Sequence, residues 1–240
     1  MRTVVVIQAR IGSSRLRGKV MADIGGRPMI AHVLERARHI TGIDDVVVAV
    51  PDLAEDDPLA SAVASLGAPV VRGSTGDVLG RYLAAAAASS ADVVVRVTAD
   101  CPLLSPSVSS SIVTAYARGA VDYASNTLER THPRGLDTEV VSVEALRAAG
   151  RESTDPAERE HVTPFIWRRP DRFRLRSVRA ATDRSALRLT VDVAEDLTLV
   201  RSIHAELGPG PFDVDEILEL LDRRPELVAL NAQISQKPVG

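Results

Sequence analysis

Thr3-Val-Val-Val-Ile7 runs directly into Gln8-Ala9-Arg10-Ile11-Gly12-Ser13-Ser14-Arg15-Leu16-Arg17-Gly18-Lys19. The opening run is β-branched and almost wholly apolar, with no polar side to turn to water. It predicts a strand buried on both faces, the pattern of a parallel sheet. The residues that follow are rich in Gly, Ser and Arg and predict a loop at the carboxyl end of that strand. Parallel strands need helical crossovers, and the sequence downstream provides them. Pro28 opens a helical pattern in which Met29, Ile30, Val33, Leu34 and Ala37 share one face. Val46 to Val50 predicts a second buried strand, Pro58 to Leu66 a helix, and Pro69 to Val71 a short strand. Asp77 to Ala88 predicts an alanine-rich helix suited to close packing on a sheet, and Val93 to Val97 another buried strand. Strand and helix alternate, which argues an α/β sheet covered by helices on both sides.

The second half is less regular. It predicts a short strand near Asp122, a strand from Leu136 to Ser142, a helix from Pro156 to Trp167 and a strand from Leu187 to Val191. Helices are expected from Glu195 to Leu207, Val214 to Leu221 and Pro225 to Leu230. No repeat, Pro/Gly/Ser-rich linker or charge block interrupts the chain, and 240 residues suffice for one domain with its own core.

Composition narrows the function. The formal net charge is −3, so there is no basic excess to grip a nucleic acid backbone by counterion release. Aromatic residues are 3%, too few for base-stacking platforms. Of 29 basic residues only Lys19 and Lys237 are lysine, so arginine does nearly all the cationic work. The single cysteine, Cys101, excludes an internal disulfide framework and a cysteine-rich zinc site. No stretch approaches the roughly 20 apolar residues of a spanning helix, and the N-terminal run is too short for a signal-peptide core. A cytoplasmic protein that binds neither nucleic acid nor membrane is expected.

Ligands of open α/β sheets sit at the carboxyl ends of strands, where the Gln8 to Lys19 loop lies. Its glycines and serines let the backbone approach a ligand, and Arg10, Arg15 and Lys19 add fixed positive charge suited to a polyphosphate. Two better-known phosphate motifs do not fit. A Walker loop needs four residues between its glycine and Gly-Lys and then Ser or Thr; here five separate Gly12 from Gly18, and Val20 follows Lys19. The dinucleotide fingerprint needs three spaced glycines, and Gly12 lacks its partners. Two acids stand at strand ends: Asp100 after Val93 to Thr98, and Asp192 after Leu189 to Val191. Each has two readings, a ligand of Mg²⁺ or a local turn or helix cap.

The ordered blocks of the chain resemble nucleotidyltransferases related to CMP-sugar synthetases, specifically the spore-coat polysaccharide cytidylyltransferase-like group. They are Gln8 to Lys19, Gly26-Arg-Pro-Met29, Arg72-Gly-Ser-Thr-Gly-Asp-Val-Leu-Gly-Arg-Tyr82, Arg96-Val-Thr-Ala-Asp-Cys-Pro-Leu103 and Asp122-Tyr-Ala-Ser-Asn126. Pro133-Arg-Gly-Leu-Asp-Thr-Glu-Val140, Arg159-Glu-His-Val-Thr-Pro164 and Thr190-Val-Asp192 with Glu195-Asp-Leu197 follow in the same order. The resemblance implies a Rossmann-like nucleotidyltransferase fold with a mixed, mostly parallel sheet flanked by helices. It implies a Mg²⁺-dependent, often homodimeric enzyme that uses CTP. One domain is expected over 1–240, with a nucleotide-binding half at 1–120, an acceptor-binding half at 121–200 and C-terminal helices at 201–240.

Carried over residue by residue, Arg10, Arg15, Lys19 and Asp100 take catalytic roles, and Asp100 and Asp192 hold the metal. Nucleotide contacts fall to Gln8, Ala9, Arg10, Gly12, Ser13, Ser14, Arg15, Lys19, Arg72, Ser74, Asp77 and Thr98. Arg17 stands where the family carries proline, which leaves the course of the loop open. The implied reaction is in-line attack by an acceptor oxygen on the α-phosphorus as pyrophosphate leaves, with positioning and charge neutralisation doing most of the work.

Asp137 and Glu139 alternate along the predicted strand and so share a face. With Asn126, Arg134 and His161 they are candidates for the acceptor pocket; a buried structural pair is the other reading for Glu139 and His161. Cys101 has no neighbouring histidine in sequence to activate it and reads as a packing residue. His32, His39 and His204 lack metal-ligand spacing. The acceptor, a sugar hydroxyl or a sugar phosphate, and the choice of CTP over another nucleoside triphosphate stay open. Two competing readings are a sugar-nucleotide glycosyltransferase, whose paired acidic motif is replaced here by Ala99-Asp100-Cys101, and a catalytically silent nucleotide-binding scaffold.

Overall fold

The computed structural model describes residues 1–208 and 210–235, so Lys237 and the end of the expected C-terminal segment lie outside it. The chain opens with β1 (Thr3–Gln8) and a hairpin of β2 (Asp23–Ile24) and β3 (Arg27–Pro28). Then come α1 (Met29–Arg38), β4 (Asp45–Pro51), α2 (Asp57–Ser65), β5 (Val70–Gly73), α3 (Val78–Ala88) and β6 (Val93–Thr98). The second half holds α4 (Pro106–Gly119), β7 (Tyr123–Ser125), β8 (Glu139–Ser142), α5 (Val143–Glu152), α6 (Pro156–His161) and α7 (Pro164–Trp167). It closes with β9 (Leu175–Ser177), α8 (Ala194–Leu207), α9 (Val214–Arg223) and α10 (Pro225–Ala229).

The main sheet has seven strands in the order β5-β4-β1-β6-β8-β7-β9. Pairs β5/β4, β4/β1, β1/β6 and β7/β9 are parallel, and β6/β8 and β8/β7 antiparallel. This is the mixed, mostly parallel sheet expected. Alternation along each strand splits the core in two. Val5, Ile7, Val48, Val50, Val95 and Val97 face α1, α2, α4, α8 and α9. Val4, Val6, Val47, Ala49, Val94 and Val141 face α3, α5 and α7. From β1 the chain moves outward through β4 to β5, and α3 then carries it back to β6 on the other side of β1. Strand order reverses there, so a crevice opens at the carboxyl ends of β1 and β6.

Local chemistry explains most boundaries. Asp77, Ser105, Ser142 and Asp155 cap α3, α4, α5 and α6 by accepting from Gly80, Val108, Ala145 and Ala157 backbone N–H groups at 2.9, 3.1, 3.0 and 2.9 Å. Ser105, not Asp100, thus caps α4. Gly25 and Gly26, at φ 58° and 83°, close the hairpin with both central residues left-handed. That hairpin, α5 and β9 were not anticipated from the sequence.

Three expectations are corrected. The strand expected from Leu136 starts only at Glu139, because the Asn126 side chain takes the backbone of the residues before it: Nδ2 donates to Leu136 O at 2.8 Å and Oδ1 accepts from Thr138 N at 3.0 Å. Leu187 to Val191 forms no strand, only a single bridge between Arg188 and Arg134. Its apolar residues Leu189 and Val191 are buried by packing against the sheet's end, so they mimic strand alternation without a ladder. The helix expected from Pro156 to Trp167 breaks at Val162, whose φ is 74°. No helix among the described residues is long and apolar enough to cross a membrane.

Candidate active site

The crevice is a cleft of about 450 Å³. The loop after β1 supplies Gln8, Ala9, Arg10, Ser13, Ser14, Arg15 and Lys19, and the end of β6 supplies Arg96, Thr98, Ala99, Asp100 and Cys101. The second half adds Arg134, Gly135, Asp137, Glu160, His161, Thr190 and Asp192. The loop is pinned at both ends. Ile11 N donates to the buried Asp56 Oδ1 at 2.6 Å, and Gly18 N donates back to Ile11 O at 3.0 Å. Gly18 takes φ 72°, a turn that starts the single 3-10 turn Lys19–Met21. Arg17 stays out of the cleft and pairs at the surface with Glu55 at 3.0 Å.

Lys19 is the centre of the site. It is only 8% exposed. Its Nζ donates to Asp100 Oδ2 at 3.1 Å, to Asp192 Oδ1 at 2.8 Å and to Val191 O at 2.7 Å. Burial alone would lower the Lys19 pKa, but the two carboxylates outweigh it and keep the ammonium above its ordinary 10.5. Asp192 also meets Arg15 Nη2 at 2.9 Å and Arg188 Nη2 at 2.8 Å. Burial would raise its pKa; Lys19, Arg188 and Arg15 instead hold it below 3.8. Arg188 is gripped by the fully buried Asp196, which also accepts from Asp192 N at 2.9 Å and from Val193 N at 3.2 Å. Asp196 therefore shapes the segment that delivers Asp192. Asp100 is freer: its other oxygen accepts from Thr98 Oγ1 at 2.5 Å, and its side chain stays 29% exposed to the cleft.

The two acids converge on one point from segments far apart in sequence. Two hard carboxylates at such a point suit a divalent cation whose other ligands come from phosphate oxygens. No group of three or more His, Cys, Asp or Glu that could hold a metal by itself occurs among the described residues. The donor set thus fits a shared metal–phosphate site and not an all-protein cage.

Several residues expected at the site are engaged elsewhere. Arg72 pairs with Asp57 at 2.5 Å and donates to Leu53 O at 2.7 Å, tying β4 to β5. Asp77 caps α3 and pairs with Arg159 at 2.7 Å, and the Ser74 carbonyl accepts from the buried Arg81. Gly12 packs toward Glu55, and Asn126 is spent on backbone. None of these lines the cleft. Asp137 and Glu139 do not share a strand face. Asp137 precedes β8 and lines the cleft, held by Arg130 at 2.5 and 2.7 Å, whereas Glu139 is buried behind it against Arg96. His161 lines the cleft, and burial depresses its pKa below 6.5. Burial raises the Cys101 thiol well above its ordinary value, so it stays protonated and inert.

Arg96, Thr190, Glu160 and Gly135 were missed. Arg96 carried a signal, a charge inside an otherwise apolar strand. Gly135 is explained only by the fold: at φ 98°, a Cβ there would lie 2.4 Å from Thr190 N, so only glycine lets the two segments touch.

A cytidylyltransferase family model matches residues 4–231. The chain is 30% identical to the spore coat polysaccharide biosynthesis protein SpsF of Bacillus subtilis, covering 92% of this chain and 94% of that one. It is 35% identical to a 3-deoxy-manno-octulosonate cytidylyltransferase of an Anaeromyxobacter species, over 68% of this chain and 72% of that one. The structure of a cytidylyltransferase from Leptospira borgpetersenii superposes with a TM-score of 0.91 at 29% identity, covering 99% of this chain and 100% of that one. The chain belongs to the cytidylyltransferase family of nucleotidyltransferase enzymes.

Proposed function

We propose that the protein transfers CMP from CTP to an oxygen of a sugar or sugar phosphate, with Mg²⁺ as cofactor and pyrophosphate as the other product, in polysaccharide or glycoconjugate synthesis. The observation that carries this is the buried Lys19 ammonium between Asp100 and Asp192, at the floor of a cleft edged by Arg10 and Arg15. Arg10 makes no hydrogen bond or ion pair among the described residues, so its guanidinium is available to a polyphosphate. Ser13, Ser14 and the adjacent backbone add neutral donors at the same rim. The cations stabilise the charge that builds on the departing pyrophosphate. In the reaction the acceptor oxygen bonds to the α-phosphorus and the bond from that phosphorus to the β-phosphate oxygen breaks. A hydroxyl acceptor also loses a proton, and His161, which lines the cleft and whose pKa burial lowers, is our candidate to accept it.

Asp100 and Asp192 would hold Mg²⁺ together with triphosphate oxygens, and the bound ion would polarise the α-phosphate. Lys19 balances the two carboxylates, and as a flexible point charge it is suited to follow the phosphates. The family resemblance supports a homodimer in the cytoplasm, which sedimentation velocity and cell fractionation would test.

The decisive assay is pyrophosphate release across the four nucleoside triphosphates with acidic sugars and sugar 1-phosphates. CTP is expected to be preferred. Lys19→Ala and Asp100→Ala are each expected to lower turnover at least ~100-fold, the scale of one electrostatic transition-state contact. Near-normal turnover by either variant, or no pyrophosphate from CTP with any sugar, would remove the proposal.

A further inference from the structure

Strand β6 reads Val93-Val-Val-Arg-Val-Thr98, and Arg96 is the charge within it. A guanidinium in a strand covered on both faces must be paired and hydrogen-bonded to be tolerated. Its partner stands directly across the ladder: Glu139 is in register with Arg96 and accepts from its Nη1 through Oε1. The second oxygen of Glu139 accepts from Tyr123 Oη at 2.6 Å and from Thr163 Oγ1 at 2.5 Å. Thr163 follows Val162, whose φ of 74° and ψ of −54° are costly for a β-branched residue and persist only where the surroundings impose them. His161, on the other side of that bend, lines the cleft. Residues of β7, β8 and the α6–α7 junction thus converge to hold one guanidinium in place.

The network does not use every donor of Arg96. Arg96 Nε is buried without a partner, and so is Gln8 Oε1 on the adjacent strand β1. Both residues line the cleft. In the ladder Gln8 pairs with Thr98 and Val6 with Arg96, so the two side chains stand on one face of the sheet, one step apart. Buried polar atoms without partners are rare in folded proteins. A donor and an acceptor without partners on one face of the sheet match a hydroxyl, which accepts from one and donates to the other. Glu139 already balances the charge of Arg96, so this pair suits a neutral hydroxyl. Arg10 and Arg134, which make no ion pair among the described residues, are better placed for anionic groups.

We propose that Arg96 and Gln8 form the floor of the acceptor subsite and bind a hydroxyl of the acceptor sugar, with Arg96 determining specificity and Glu139 positioning it. This rests on the sugar-acceptor reading above. The test is isothermal titration of the full-length protein, first with CTP and Mg²⁺. The second titration uses 3-deoxy-manno-octulosonate or glucose 1-phosphate as probe, with a non-hydrolysable CTP analogue present. Arg96→Met and Gln8→Leu are expected to weaken binding of the probe that the wild type takes, about 30-fold for Arg96→Met, the scale of a hydrogen bond from a charged donor. CTP binding should stay at the wild-type level in Arg96→Met. Arg96→Lys keeps a charge beside Glu139 but not the planar fork, so it should retain the wild-type melting temperature and still lose the sugar; it decides the matter if Arg96→Met does not fold. Unchanged sugar affinity in Arg96→Lys and Gln8→Leu overturns the assignment alone. Loss of CTP binding in a folded Arg96→Lys also overturns it, since Arg96 would then serve the nucleotide. Wild-type protein that binds CTP but neither sugar overturns the acceptor reading, and this inference with it.

Discussion

Strands β5, β4, β1 and β6 and strands β8, β7 and β9 deliver functional groups to the same cleft in different ways. In the first set every pair is parallel, and the two central strands each end in a loop that carries cleft residues: Gln8 to Lys19 after β1, Asp100 after β6. In the second set the strands are short, and the chain reaches the cleft outside the sheet, through the segments around Arg134 to Asp137 and Thr190 to Asp192. Asp100 and Asp192 show the contrast most plainly. Both contact Lys19, but Asp100 is a partly exposed strand-end acid with one cationic partner, whereas Asp192 is 13% exposed and held by Lys19, Arg15 and Arg188. A strand end positions a carboxylate through the ladder; a segment without a ladder needs an ion network to do so.

If that is right, the irregular half should fail at its contacts and the regular half at its chemistry. The largest effect is expected at Gly135. Gly135→Ala drives a Cβ to 2.4 Å from Thr190 N and 2.5 Å from Leu189 C, backbone atoms that cannot swing aside. A loss of about 4 kcal/mol is expected, in the tail reserved for such strain, read as a melting temperature lower by about 10 °C. A variant melting with the wild type would show that the two segments need not touch.

Next in size is the pair of acids. Asp192→Asn leaves three cations facing a neutral amide, and about 3 kcal/mol should be lost at neutral pH in urea unfolding, as when one member of a buried ion pair is removed. Asp100→Asn should cost far less stability while still abolishing turnover. The carboxyl of Asp192 is held below 3.8, so its contribution is present above that pH and lost as pH falls through the depressed value. The wild type and Asp192→Asn should therefore converge in acid. Equal destabilisation by the two variants at pH 7 would dissolve the distinction.

The smallest effect lies away from the cleft. His204 packs against His32 with ring centroids 4.6 Å apart, and its Nε2 is buried without a partner. Burial, followed by His32 and nearby arginines, pushes its pKa down to about 4. Between pH 6.5 and about 4 the unfolded chain binds a proton there that the folded chain refuses, so stability declines as pH falls through that window. His204→Phe should flatten the decline in melting temperature between pH 7 and pH 5. An unchanged slope would mean that His204 titrates normally.

The parallel half and its cationic loop were legible, and Lys19, Asp100 and Asp192 could be singled out as candidates, because β-branched runs and strand-end residues are properties of neighbours in sequence. Residues whose surroundings the sequence does not reveal owe them to partners far away. Arg72 and Asp77 are expected at the nucleotide from their sequence block, and the fold pairs them with Asp57 and Arg159. Leu187 to Val191 alternates like a strand, but no neighbouring strand runs beside it to form a ladder. Asp137 and Glu139 part company because Asn126 claims the backbone between them. Arg96 was visible as an oddity in an apolar strand, and its meaning waited on Glu139, Tyr123 and Thr163. Local pattern records which faces must avoid water, and that was enough for the sheet and its loop. Which charges meet, and which buried atoms stay open for a ligand, depends on segments brought together from distant parts of the chain.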